Sequence, residues 1–178
     1  MTGLKVIARV NGLSALGVSN YTADTTRPEL TSFDLSMDSR LLSLTFSETV
    51  RASSLSVGQI QIQSTAAGTG SVYVLTSGSS SSSSADGTVI VVNVGVSDAN
   101  VLKSVIGLAD SKGTTYVSFG RTMIDDMVGI DVVEISSGAG QNVAVFTEDT
   151  TSPTLVSFGL DLSMDIAVLS LTFDESVH

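Results

Sequence analysis

Six carboxylates stand beside short motifs that occur twice in this chain. Asp24 and Asp149 open "DTTRP" and "DTTSP", and Glu148 precedes the second of these. Glu48 follows "LTFS", and Asp125 and Asp126 precede a strand-like apolar run. Acids brought from three separate loops to one pole of a β-domain would offer the oxygen ligands that a hard divalent cation takes. An interdomain calcium site at Asp24, Glu48, Asp125, Asp126, Glu148 and Asp149 is therefore the chemistry suggested first. The plainer reading is that these acids cap turns or face water. Ala23 stands where the second copy has Glu148, and no dense D-x-D-x-D loop is present.

Other chemistry finds less support. The single histidine is His178, the last residue, and cysteine is absent, so thiolate sites and disulfides are excluded. No serine sits in a G-x-S-x-G elbow. Asp125 and Asp126 are adjacent, so on an extended backbone they point to opposite faces instead of sharing a proton. A non-enzymatic role is expected. The net charge of −10, from 18 acids against 8 bases, repels a phosphate backbone and argues against nucleic acid as a partner. No run reaches the roughly 18 apolar residues of a membrane-spanning helix. "MTGLKVIARV" lacks the pattern of a signal peptide. Asn20-Tyr21-Thr22 is an N-glycosylation sequon, which matters if the chain is secreted by a eukaryote.

The elements that position these groups are repeated too. "DTTRPELTSF" (Asp24 to Phe33) returns as "DTTSPTLVSF" (Asp149 to Phe158), and "LSLTF" recurs letter for letter. The second copy is two residues longer, and alignment on "DLSMD" puts the extra pair directly after Phe158. The head of the chain aligns with Met127 to Ser136, and "VSNYTADTT" with "VAVFTEDTT", both strand-like. Residues 1–24 therefore read as the end of one repeat, 25–149 as a complete repeat, and 150–178 as the start of another. An array continuing beyond these residues is expected.

Hydrophobic residues make up 42% of the chain, mostly Val, Leu and Ile in short runs between Gly, Ser and Thr, which suits an all-β fold. Strands are expected over 29–35, 41–47, 59–63, 72–76, 88–94, 115–119, 130–135 and 142–147. "QIQIQ" places Ile60 and Ile62 inward and its glutamines in water, and "LSLTF" places Leu42, Leu44 and Phe46 on one face. A short crossover helix is expected between the caps Ser97, Asp98 and Asn100 and the stop Gly107, with Val101, Leu102, Val105 and Ile106 as its apolar stripe. "SGSSSSSSADG" (Ser77 to Gly87) reads as an exposed mobile loop, or alternatively as a site of O-glycosylation. A Greek-key β-sandwich fits this spacing of strands.

"DTT-x-P", "LSLTFSETV", "DANVLK" and "DDMVG", in that order, resemble bacterial-type Ig-like repeats of the S-layer and adhesin kind. The long tandem versions in surface proteins of algae and other marine microbes are closer still. This chain departs from D-x-x-G-N, carrying Ile130 where the family has Asn. The resemblance implies an Ig-like sandwich in an extracellular or cell-surface array. Its partners would be neighbouring repeats and other copies, associated into a fibre, appendage or coat. An adhesin stalk, or a module binding glycan or protein, is the alternative. Only Tyr21, Tyr73 and Tyr116 are available for an aromatic platform in that second case.

Overall fold

The computed structural model describes residue 12, residues 15–163 and residues 166–177. Much of the expected first unit (1–24) and His178 lie outside the described residues. The strands are β1 (Leu30–Ser36), β2 (Leu41–Val50), β3 (Gln61–Gln63), β4 (Val72–Val74), β5 (Gly87–Asn93), β6 (Tyr116–Ser118), β7 (Gln141–Asn142), β8 (Val145–Thr147), β9 (Leu155–Asp161) and β10 (Val168–Phe173). One helix, α1 (Val96–Ser104), follows β5. Two four-stranded sheets form, in the orders β5-β2-β1-β8 and β4-β3-β6-β7, and β9 pairs with β10 separately. Every ladder is antiparallel except that of β1 with β8.

Alternation explains the core. Phe33, Leu35, Leu42, Leu44, Phe46 and Ile90 from the first sheet join Ile62 and Val117 from the second, and Ile60 just before β3, in one buried cluster. The arrangement is consistent with a β-sandwich, in which two sheets bury their inner faces on each other.

Several expectations need correction. Gln63 is buried, not solvated. Its amide nitrogen donates to the carbonyls of Thr65, Ala66 and Ser137, and its oxygen accepts from Gln61 and Ser118, so burial leaves nothing unpaired. No strand forms over 130–135. Its amides go to three different partners: Val132 to Ile124, Val133 to Pro28 and Ile135 to Phe119. A continuous ladder is impossible with that division. The expected last strand splits because the chain changes sheets, with Val143 N–H donating to Thr115 and Ala144 N–H to Phe33. Residues 18–26 form no strand either. Their sequence counterpart, β8, pairs with β1.

The helix turns inward only part of the expected stripe, with Leu102 buried and Val105 packed against the core. Asp98, Ala99 and Leu102 are buried, whereas Ile106 is 91% exposed. Asp98 is no solvent-facing cap. Its carboxylate accepts from Tyr73 Oη (2.8 Å), the Thr76 amide (2.9 Å), Thr76 Oγ1 (2.8 Å) and Ser80 Oγ (2.5 Å). Burial opposes ionisation of Asp98, but these donors outweigh it and hold its pKa below the ordinary carboxylate value. The serine run is tied down in consequence. Ser80 is buried, Ser81 bridges Asn93, and Ser82 and Ser84 hydroxyls bond the backbone of Val91. The run also crosses Gly95 so closely that a Cβ there would lie 2.1 Å from the Ser79 carbonyl.

The β9–β10 hairpin reproduces β1–β2 pair for pair. Leu30 opposite Phe46, Phe33 opposite Leu44 and Leu35 opposite Leu42 become Leu155 opposite Phe173, Phe158 opposite Leu171 and Leu160 opposite Leu169. A bulge falls at the same place in both. The two extra residues do not follow Phe158. They fall between the two strands, which end at Asp161 and resume at Val168 where the first pair end at Ser36 and resume at Leu41.

Candidate cation site at the head of the repeat

Glu48 lies near the end of β2, two residues before Val50, which bridges Asp126 across an antiparallel contact. That bridge sets Glu48 beside Asp126. The Arg51 amide donates to the Asp125 carbonyl and the Arg51 guanidinium to the Met127 carbonyl, which fixes the next turn of chain. Asp126 Oδ1 accepts from the amides of Val128 (2.9 Å) and Ile130 (2.7 Å), wrapping a turn that needs the positive φ of Gly129. Asp24 is placed by an Asx turn, its Oδ1 accepting from the Thr26 amide at 2.9 Å. Downstream, the Glu29 amide bonds Ser47 Oγ, and the Pro28 carbonyl accepts from Val133.

The result is a triad. One carboxylate oxygen from each of Asp24, Glu48 and Asp126 lies within 4.8 Å of the others. Asp126 is 2% exposed, and its Oδ2 is buried without a hydrogen-bond partner. Glu48 Oε1 is also buried and unpartnered. Glu48 has a raised pKa, from burial first and then from the charges of Asp24 and Asp126. Two orphaned acceptors among three convergent acids call for a cation. A hard divalent ion or an ammonium group would satisfy the oxygens.

The other acids expected here stand elsewhere. The Asp125 amide is held by Ser54 Oγ and its backbone bridges Asp131, and its carboxylate is not part of the triad. Neighbours on extended chain face opposite ways, so only one of the two aspartates reaches the site. Glu148 is exposed, and with Asp149 it leads into the β9–β10 hairpin.

Asp149 belongs to a second centre that the sequence did not flag. Lys103, in the last turn of α1, forms ion pairs with Asp149 Oδ2 and, at 2.6 Å, with Glu175 Oε2. All three side chains are less than one-fifth exposed. Burial alone would lower the Lys103 pKa, but the two carboxylates outweigh it and raise the value. Burial likewise opposes the Asp149 charge, and Lys103 and the Thr151 amide overcome it and lower that pKa. Asp38 accepts from the Thr150 and Thr151 hydroxyls beside this centre. Nothing in the local spacing of "NVLKS" marks Lys103. The available signal was the recurrence of Glu48 as Glu175 at the head of a second copy. Asn20 is exposed on the extended N-terminal segment, and the Tyr73 hydroxyl is committed to Asp98.

No protein-family model, curated protein or solved structure matches the chain.

Proposed function

We propose that this chain is a structural module of a long extracellular protein built from tandem Ig-like Greek-key sandwiches. The observation that carries this reading is the β9–β10 hairpin. It repeats β1–β2 with the same register and the same bulge, yet turns its apolar face to solvent. Phe33 is fully buried, and its counterpart Phe158 is 70% exposed. Leu155, Leu160, Leu169 and Leu171 are exposed as well. A face of that composition matches the inner face of the complete repeat and is the shape of a unit whose remaining strands follow. Each repeat buries its own core, and the short Pro-bearing junction, tied by Asp149, Lys103 and Asp38, limits bending between units. Such an array serves as a fibre, an appendage or a coat, and the exposed Asn20 sequon would accept a glycan if the chain is secreted by a eukaryote.

Antibodies raised against residues 25–149 test location and length together. The expected result is labelling of intact, unpermeabilised cells and a native polypeptide many times the 18.3 kDa of this chain. Labelling only after permeabilisation overturns the extracellular role. A native mass close to that of this chain overturns the array.

A further inference from the structure

We propose that the Asp24–Glu48–Asp126 triad is the socket for a Lys103-type ammonium from a preceding copy of the repeat. One lysine at the tail of each unit would then close on three carboxylates at the head of the next. The inference rests on the tandem reading above and adds the contact that joins the units.

Each junction in the chain displays part of this arrangement. Asp149 and Glu175 are the counterparts of Asp24 and Glu48. The aspartates open the same motif, the glutamates stand two residues after the same "LTF", and the associated hairpins have identical register. The Asx turn is the same, with Thr151 N–H donating to Asp149 Oδ1 at 3.0 Å as Thr26 N–H does to Asp24 Oδ1 at 2.9 Å. Even the bond that closes the hairpin recurs, from the Thr154 amide to Asp174 in place of the Glu29 amide to Ser47. On that second pair the Lys103 ammonium is seated. The third carboxylate has no counterpart there among the described residues.

The first junction shows the complementary part. Its third carboxylate is present, and Asp126 Oδ2 is buried without a partner; Glu48 Oε1 is unpartnered as well, as is its counterpart Glu175 Oε1 beside the seated lysine. If the first pair is filled as the second is, an ammonium donor stands against this triad. Three N–H donors on one ammonium suit three converging carboxylates. Lys103 also sits at a helix C-terminus, where the helix dipole favours a positive charge. An ammonium is favoured over a divalent cation because it is the group actually found on the counterpart pair.

The test uses the full chain with residues 25–149 duplicated in place, so that Lys103 of the first copy faces Glu48 and Asp126 of the second. Lys103→Met in the first copy keeps the aliphatic stem and removes the charge, and is expected to lower the melting temperature by about 2–4 °C. Lys103→Arg is expected to restore most of that loss. Glu48→Gln in the second copy should lower the melting temperature when Lys103 is present and raise it slightly, or leave it unchanged, in the Lys103→Met background. That reversal of sign is the coupling a direct contact produces. Asp126→Asn, which keeps the Oδ1 acceptor of the turn, should behave in the same way. Additive effects of the paired substitutions would overturn the lysine socket. So would a melting temperature raised by millimolar calcium chloride and lowered by chelator, which would assign the triad to a divalent cation. X-ray scattering on the same duplicated chain keeps the premise separate. A particle that does not lengthen by about one repeat on duplication overturns the tandem reading itself.

Discussion

The two hairpins β1–β2 and β9–β10 share their sequence motif, their register and their bulge, and differ almost completely in burial. The first lies under the second sheet, and the second presents the same face to water. Register is therefore a local property here. Alternation of apolar residues and the bulge set which residues oppose each other before any core exists. Burial is supplied by the rest of the repeat. Replacing the same ring in each hairpin gives the sharpest contrast. Phe33→Ala removes a fully buried ring and is expected to cost about 3–5 kcal/mol. Phe158→Ala at the equivalent exposed position should fall within about 0.5 kcal/mol of the parent. Chemical denaturation of the two variants measures both. Equal losses would mean that β9–β10 is covered in solution and that the contrast is false.

What the first hairpin has and the second lacks includes the segment organised around Asp98. Four hydrogen bonds converge on that buried carboxylate, from Tyr73 on β4 and from Thr76 and Ser80 leading into the serine run. Asp98→Ala strands these donors and should cost on the order of 3 kcal/mol. Hydrogen exchange should locate the loss in residues 76–94 and leave β9–β10 unchanged. A uniform loss across both hairpins would place Asp98 outside the covering segment.

These contrasts also mark what the sequence could tell. The recurring hairpin, the facing of Leu42, Leu44 and Phe46, and the inward Ile60 and Ile62 were all legible, because period-two alternation is a local signal. Asp24 and Glu48 were legible from their recurrence beside fixed motifs, and Asp126 from its place before an apolar run. The rest depended on contacts between distant residues. Asp98 read as a helix cap because its four donors come from segments far along the chain. The serine run read as mobile because its composition hides the hydroxyls that replace ladder bonds along β5. Residues 130–135 read as a strand because their apolar pattern carries no information about three separate backbone partners. Lys103 was invisible because its partners lie 46 and 72 positions away, at Asp149 and Glu175. Glu148 and Asp149 were grouped with Asp24 because sequence equivalence between copies does not say which end of a repeat a residue occupies.

The smallest expected effect separates the two heads by the sign of their pH dependence. Glu48 has a raised pKa, chiefly from burial and then from Asp24 and Asp126. Between its ordinary and raised values the folded chain binds more protons than the unfolded chain, so stability falls as pH rises through that window. Asp149 has a lowered pKa, because Lys103 and the Thr151 amide overcome its burial. There the unfolded chain binds more protons. Its contribution is complete above the ordinary aspartate value, near 4, and is lost as pH falls through the lower folded value. In the single chain, Glu48→Gln should therefore raise the melting temperature at pH 7 by about 1 °C. That gain should vanish in acid, where Glu48 is already protonated. Asp149→Asn should lower the melting temperature at pH 7 and have no effect below the folded Asp149 value. Calorimetry from pH 3 to 8 measures both curves. Opposite signs at pH 7 mean that one head is an acidic set without its cation and the other is a closed ion pair, and equal signs mean that charge is not what distinguishes them.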